Sequence, residues 1–186
     1  YLLWHWQQKG IYTDIHLVGR LDKDTTGIVI AARNGYVQEM LRRQGENGQL
    51  RKYYLAAVSP PPSPLSGKID APILRDRESI IKRKVSEEGA RAVTHYRTLS
   101  CREDYAVVEF LLETGRTHQI RVHCSHAGFP IIGDTLYGTE TVPPRAPHQL
   151  LHAYKTELIH PVTGEALAFT APLPQEWGRY APHTWP

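Results

Sequence analysis

Residues 16–34, HLVGRLDKDTTGIVIAARN, decide how this chain is read. Two segments of different character meet there. Residues 28–32, IVIAA, are uncharged and rich in β-branched side chains, the composition of a strand buried on both faces. Ahead of them residues 20–27, RLDKDTTG, form a charged knot with turn residues and a glycine at the junction. Such a knot at the mouth of a buried strand can hold one side chain rigidly beside solvent. The plainer alternative is a surface loop whose Asp and Thr side chains serve only the turn.

Composition narrows the classes. At 186 residues the chain suits one domain with a substantial core. The net charge of +3 and pI of about 8.9 are compatible with an RNA partner without demanding one. Cys101 and Cys124 are too few for a disulfide framework and read as reduced thiols. No apolar run approaches the roughly 18 residues of a membrane span, and no signal-peptide pattern opens the chain. The expectation is a soluble, cytoplasmic protein, taken as a monomer by default.

Working outward, Asn34 is placed to cap a helix with Tyr36, Val37, Met40 and Leu41 on its apolar face, ended by Gly45, Asn47 and Gly48. Residues 51–58, RKYYLAAV, alternate as a strand. Residues 59–67, SPPPSPLSG, exclude regular structure, because successive prolines remove donors and fix φ. Residues 69–89 are polar and basic, with Arg75, Arg77, Lys82, Arg83 and Lys84. They read as a solvated hairpin or loop, or as a phosphate-contacting one. Two strands are expected at 92–99 and 105–113. A glycine turn follows, then a short helix capped by Thr117, with Ile120, Cys124 and Ala127 inward and Gly128 as terminator. Residues 143–147 make another loop, and strands at 151–159 and 166–170 close the fold around the turn 160–164. Successive strands with few helices argue an α+β fold with a mainly antiparallel sheet.

Three stretches carry a resemblance. GRLDKDTTGIVIAARN is similar to the first signature of the RluA-type pseudouridine synthases, whose usual form is close to H-R-L-D-x-x-T-S-G-hydrophobic. Residues 112–138, LETGRTHQIRVHCSHAGFPIIGDTLYG as read from Leu112 onward, resemble the second. Residues 150–174, LLHAYKTELIHPVTGEALAFTAPLP, resemble the third, in the expected order. The resemblance spans about residues 16–177 and implies the mixed, mainly antiparallel sheet with flanking helices of the pseudouridine-synthase fold. Family members usually carry an earlier strand and a Lys-Pro-x-Gly-like loop, neither visible here. Residues 1–186 are therefore expected to be a catalytic domain lacking its N-terminal strand.

The activity implied is isomerisation of uridine to pseudouridine in ribosomal or transfer RNA. Nothing in that reaction demands a metal or cofactor, and no P-loop or dinucleotide fingerprint is present. Asp22 matches the family's catalytic aspartate, acting either as a nucleophile or as a base at the sugar's 2′ position. Asp24 lies beyond the Arg-Leu-Asp signature and reads as a turn residue. Arg121, in HQIR, matches the arginine expected to pair with that aspartate, keeping it ionised and fixing its rotamer by a bidentate contact. Tyr54, in KYYLA, matches the tyrosine expected to stack on uracil and relay its proton. Tyr53 would face the opposite side of the strand.

Arg20, two residues before Asp22, is implied to fill the space that the flipped uridine vacates. Lys52, Arg116 and His118 complete the expected substrate contacts, Arg116 also competing with Arg121 as the aspartate's partner. Gly19 departs from the commoner histidine and is similar to the small-subunit branch of these synthases. His118, His123, His126 and Cys124 lack zinc-ligand spacing and read as packing, hydrogen-bonding or RNA-facing residues. Two rival readings remain: a non-catalytic RNA-binding module, and a hydrolase using Asp22 and Asp24 as an acid–base pair.

Overall fold

The computed structural model describes residues 2–138 and 146–180. An exposed helix α1 (Leu2–Gln8) precedes three two-residue strands, β1 (His16–Leu17), β2 (Thr26–Gly27) and β3 (Ala31–Ala32). Helix α2 (Gly35–Glu46) follows, then β4 (Arg51–Val58), β5 (Ser66–Asp70) and the hairpin β6 (Ile73–Arg75) and β7 (Arg83–Val85). Strands β8 (Val93–Cys101) and β9 (Ala106–Leu112) lead into α3 (Gln119–His126). The described chain ends with β10 (Leu151–Ile159), β11 (Ala166–Thr170) and a 3-10 turn at Gln175–Tyr180.

A seven-stranded sheet in the order β11-β10-β4-β9-β8-β5 organises the molecule, with β2 attached to β10. Every pairing along that order is antiparallel, and the attachment of β2 is parallel. The expected α+β, mainly antiparallel class is therefore observed. Alternation along β4 splits the core. Tyr54, Ala56 and Val58 face Ile120 and Cys124 of α3 and Phe129 beyond its end, whereas Leu55 and Ala57 face Tyr154, Trp177 and Tyr180. A smaller core joins Val18, Ala32 and Leu41 to Leu50 and Leu158, seating α2 against the end of β10.

Several expectations change. IVIAA is not a doubly buried strand: only Ala31 and Ala32 belong to β3, and Val29 is half exposed. After two residues beside β10 the chain leaves the sheet and pairs with β1 instead. Asn34 does cap α2, its side chain accepting from the Val37 N–H at 2.9 Å. Tyr36, however, faces solvent, Gly45 lies inside the helix, and Gln44 joins the buried side, where it bonds the backbone of Ile159. Ser66 and Gly67 already belong to β5. The N-cap of α3 is His118, not Thr117, and Ala127 is exposed at the helix end. The basic stretch does form a hairpin. Of the loop expected at 143–147, positions 143–145 lie outside the described residues.

Candidate active site

Residues 18–22 with Thr25 form one wall of a cleft of about 670 Å³, and the β9–α3 loop forms the other. The polar knot is held from three sides. Gly27 pairs with Ala153, and the Ile28 N–H donates to the Ala153 carbonyl at 2.9 Å. Gly27 has φ +111°, and a Cβ there would lie 2.2 Å from the Ala153 oxygen. Only glycine permits that approach. The Thr26 hydroxyl lies 2.7 Å from Nδ1 of buried His152, and Gln149 donates to the Lys23 carbonyl. The knot is thus pinned to the sheet by residues more than a hundred positions away in sequence.

Asp22 emerges from this knot with its side chain 14% exposed. Asp24 stands outside, exposed and at φ 65°, and makes the turn. Tyr54, on β4 directly across from Ala153, lines the same cleft and is largely buried. Burial, followed by the negative charge of Asp22, pushes its phenol up to about 12. Tyr54 is therefore a protonated hydroxyl at neutral pH, able to donate beside a carboxylate.

Arg121 projects from α3 with only 4% of its side chain exposed. Its Nη1 lies 3.7 Å from Asp22 Oδ2, an ion-pair contact beyond hydrogen-bond length. The bidentate contact expected with Asp22 is made to Asp134: Nε donates to Oδ2 at 2.7 Å and Nη2 to Oδ1 at 2.8 Å. Asp134 is fully buried and also accepts the N–H groups of Leu136 and Tyr137, at 2.9 and 3.1 Å. Burial opposes the Arg121 charge, but the hydrogen bonds and charge of Asp134, with Asp22 beyond, hold it above its ordinary value. The Tyr137 ring lies 5.2 Å from this guanidinium. Sequence reasoning missed Asp134, Gln149 and Tyr137. The acid in GDTLYG was the available signal, since a buried arginine needs a partner for each face of its fork.

The remaining candidates also line the cleft. Arg20 is exposed there. Lys52 donates from Nζ to the Val18 carbonyl at 3.0 Å, and burial lowers its pKa. Gly19, at φ +84°, leaves room for that ammonium; a Cβ would lie 2.7 Å from Nζ. Arg116 donates from Nε to the Arg91 carbonyl at 3.0 Å, so it shapes the rim rather than pairing with Asp22. His118 binds Tyr137 through Nδ1. His123 is buried between Thr94 and the Ala71 carbonyl, and His126 is exposed on the same helix. Among the described residues no group of three His, Cys, Asp or Glu is placed to hold a metal. No helix among them is long and apolar enough to cross a membrane.

Comparison with known proteins shows the family of the chain. The profile of a family described as RNA pseudouridylate synthase matches residues 5–126. An uncharacterized RNA pseudouridine synthase of Bacillus subtilis, YjbO, is 42% identical over 175 residues, covering 94% of this chain and 61% of its own. A ribosomal large subunit pseudouridine synthase D of Xanthomonas campestris is 39% identical, covering 88% of this chain and 53% of its own. The solved human RNA pseudouridylate synthase domain containing 4 superposes with a TM-score of 0.71 at 28% identity, over 89% of this chain and 75% of that one. The chain spans about half to three-fifths of the length of such curated relatives.

Proposed function

The chain belongs to the RNA pseudouridylate synthase family, of the RluA type, and on that premise we propose that it isomerises uridine to pseudouridine in RNA. The observation that carries the proposal is the meeting of three separate elements: Asp22 and Tyr54 line one cleft, and buried Arg121 backs it with Nη1 3.7 Å from the Asp22 carboxylate. The reaction breaks the bond from C1′ to N1 and forms one from C1′ to C5. A proton leaves C5 and one is gained at N1, so no net oxidation occurs and no external group is consumed.

Asp22 acts on the nucleotide as nucleophile or as the base at the 2′ position, and either role requires the ionised form. Arg121 places a guanidinium 3.7 Å from that carboxylate, opposite in charge and itself buried. Tyr54 offers a stacking face and a retained phenolic proton. The uridine enters by leaving its stack, at a cost of a few kcal/mol. Arg20, exposed on the cleft wall, props the vacated space, while Lys52 and Arg116 add positive charge for phosphates.

Ribosomal RNA is the favoured substrate, since a relative at 39% identity is named for the ribosomal large subunit; transfer RNA is the other. The protein works in the cytoplasm, as a monomer and without metal or cofactor.

The test is a pseudouridine map of RNA from cells lacking the protein, repeated after restoring the full-length wild type or its Asp22→Asn form. A uridine modified only with the wild type is expected. Full restoration by Asp22→Asn, or no site that responds, would leave an RNA-binding module as the reading.

A further inference from the structure

His118 occupies the left-handed region, at φ 58° and ψ 19°, immediately before α3. A non-glycine residue seldom rests there unless its surroundings fix it. It sits at the N-cap yet makes no capping bond with its side chain. Instead Nδ1 lies 2.8 Å from the Tyr137 hydroxyl, and the two rings meet edge to face with centroids 5.6 Å apart. That hydroxyl accepts the Arg83 N–H at 2.8 Å. A phenol has one proton to give. With Arg83 already donating to that oxygen, the arrangement favours Tyr137 giving its proton to Nδ1, which leaves the neutral imidazole with its own proton on Nε2.

Burial first, with Arg121 and Arg83 adding to it against Asp22 and Asp134, holds His118 below its ordinary value. The ring is therefore neutral at neutral pH. His118 is half-buried in the cleft that holds Asp22 and Tyr54, and its Nε2 has no hydrogen-bond partner among the described residues. A neutral donor of fixed tautomer is thereby presented where the base would lie.

We propose that His118 donates its Nε2–H to the O4 carbonyl of the flipped uracil and so selects uridine over cytidine. This rests on the synthase reading of the cleft. Uracil offers an acceptor at that position, whereas cytosine offers an amino donor. A buried N–H facing another donor is left unpaired, which is how a site built on one hydrogen bond rejects a close analogue. Tyr137 acts through His118, as the residue that sets its tautomer.

The experiment uses the full-length protein and a short transcript bearing the uridine that the mapping identifies, with either uridine or 4-thiouridine at that position. His118→Gly removes the ring at no cost to the backbone conformation, and His118→Gln returns an N–H donor. On uridine, His118→Gly should lower kcat/KM on the order of ten- to a hundredfold, with most of it recovered by Gln. On 4-thiouridine the wild type should fall towards the Gly variant, so the two losses do not add. Nitrogen-15 NMR should show His118 protonated at Nε2 in the wild type and a mixture of tautomers in Tyr137→Phe. Equal losses by His118→Gly on both transcripts, wild-type rates in His118→Gly, or an Nδ1–H tautomer would each overturn the inference alone. A wild type that forms no pseudouridine would overturn the synthase reading, and this inference with it.

Discussion

Arg121 makes both of its short hydrogen bonds to Asp134 and stands 3.7 Å from Asp22. One buried carboxylate thus fixes the guanidinium, and the guanidinium faces the cleft carboxylate with Nη1. Through its bond to the Tyr137 N–H the same Asp134 also orients the ring that holds His118. Two arms of the site share one anchor.

Removing that anchor should be costly. Asp134→Ala leaves a buried cation uncompensated, and such breaks cost about 3–5 kcal/mol. Chemical denaturation should show a loss of that size. Asp134→Asn, which keeps an acceptor and the shape, should lose less while still lowering turnover, because Arg121 is freed to close on Asp22. Wild-type stability in Asp134→Ala would refute the anchoring role.

Tyr54→Phe keeps the ring that packs in the core and removes the hydroxyl. Its thermal midpoint should change little, whereas turnover should drop by roughly 10²–10⁴-fold, the usual scale of a positioned proton donor. Unchanged turnover would reduce Tyr54 to a packing residue.

The fold and the site were legible to different depths. Strands β4, β10 and β11 match the spans read from sequence: β4 and β10 lie between two distinct buried faces, and β11 is the mostly exposed edge strand that the turn at 160–164 returns against β10. The Asn34 cap was legible because it is local chemistry. IVIAA misled because an apolar run reports burial without saying which partner supplies it. Here β10 gives up only its first residues to β2, and β11 takes the rest of that edge. Thr117 was preferred as a cap on side-chain type alone, while the backbone turn makes His118 the junction. Asp134, Gln149 and His152 join the site through contacts remote in sequence, which no window of residues displays.

Gly27→Ala tests how the knot is pinned. The added methyl meets the Ala153 backbone at 2.2 Å, in a φ region that alanine avoids. A loss of roughly 1–3 kcal/mol is expected, together with faster amide exchange at Thr25 and Ile28, whose N–H groups bond the carbonyls of Asp22 and Ala153. Wild-type exchange there would show that the knot holds without this contact.

Acid should weaken the fold through its buried histidines. His118, His123 and His152 are all held below their ordinary value, each by burial first. A group of depressed folded pKa binds its proton in the unfolded chain first. The stability it contributes is whole above the unfolded value near 6.5 and declines as the pH falls below it. Carboxylates held low by arginine or histidine partners, such as Glu39 and Glu113, lose their contribution only in more acid solution. Urea midpoints should therefore fall between pH 7.5 and pH 5.5, and His123→Asn should flatten part of that slope. A slope unchanged in the variant would remove His123 from the account.

The most direct measurement follows tritium released from RNA labelled at C5 of uridine, since C5 must lose its hydrogen when it takes over the bond to the sugar. Purified full-length wild type should release tritium in step with pseudouridine formed. Asp22→Asn should bind the same RNA with similar affinity and release none above background. Release by Asp22→Asn at the wild-type rate would contradict the central claim that Asp22 carries the reaction.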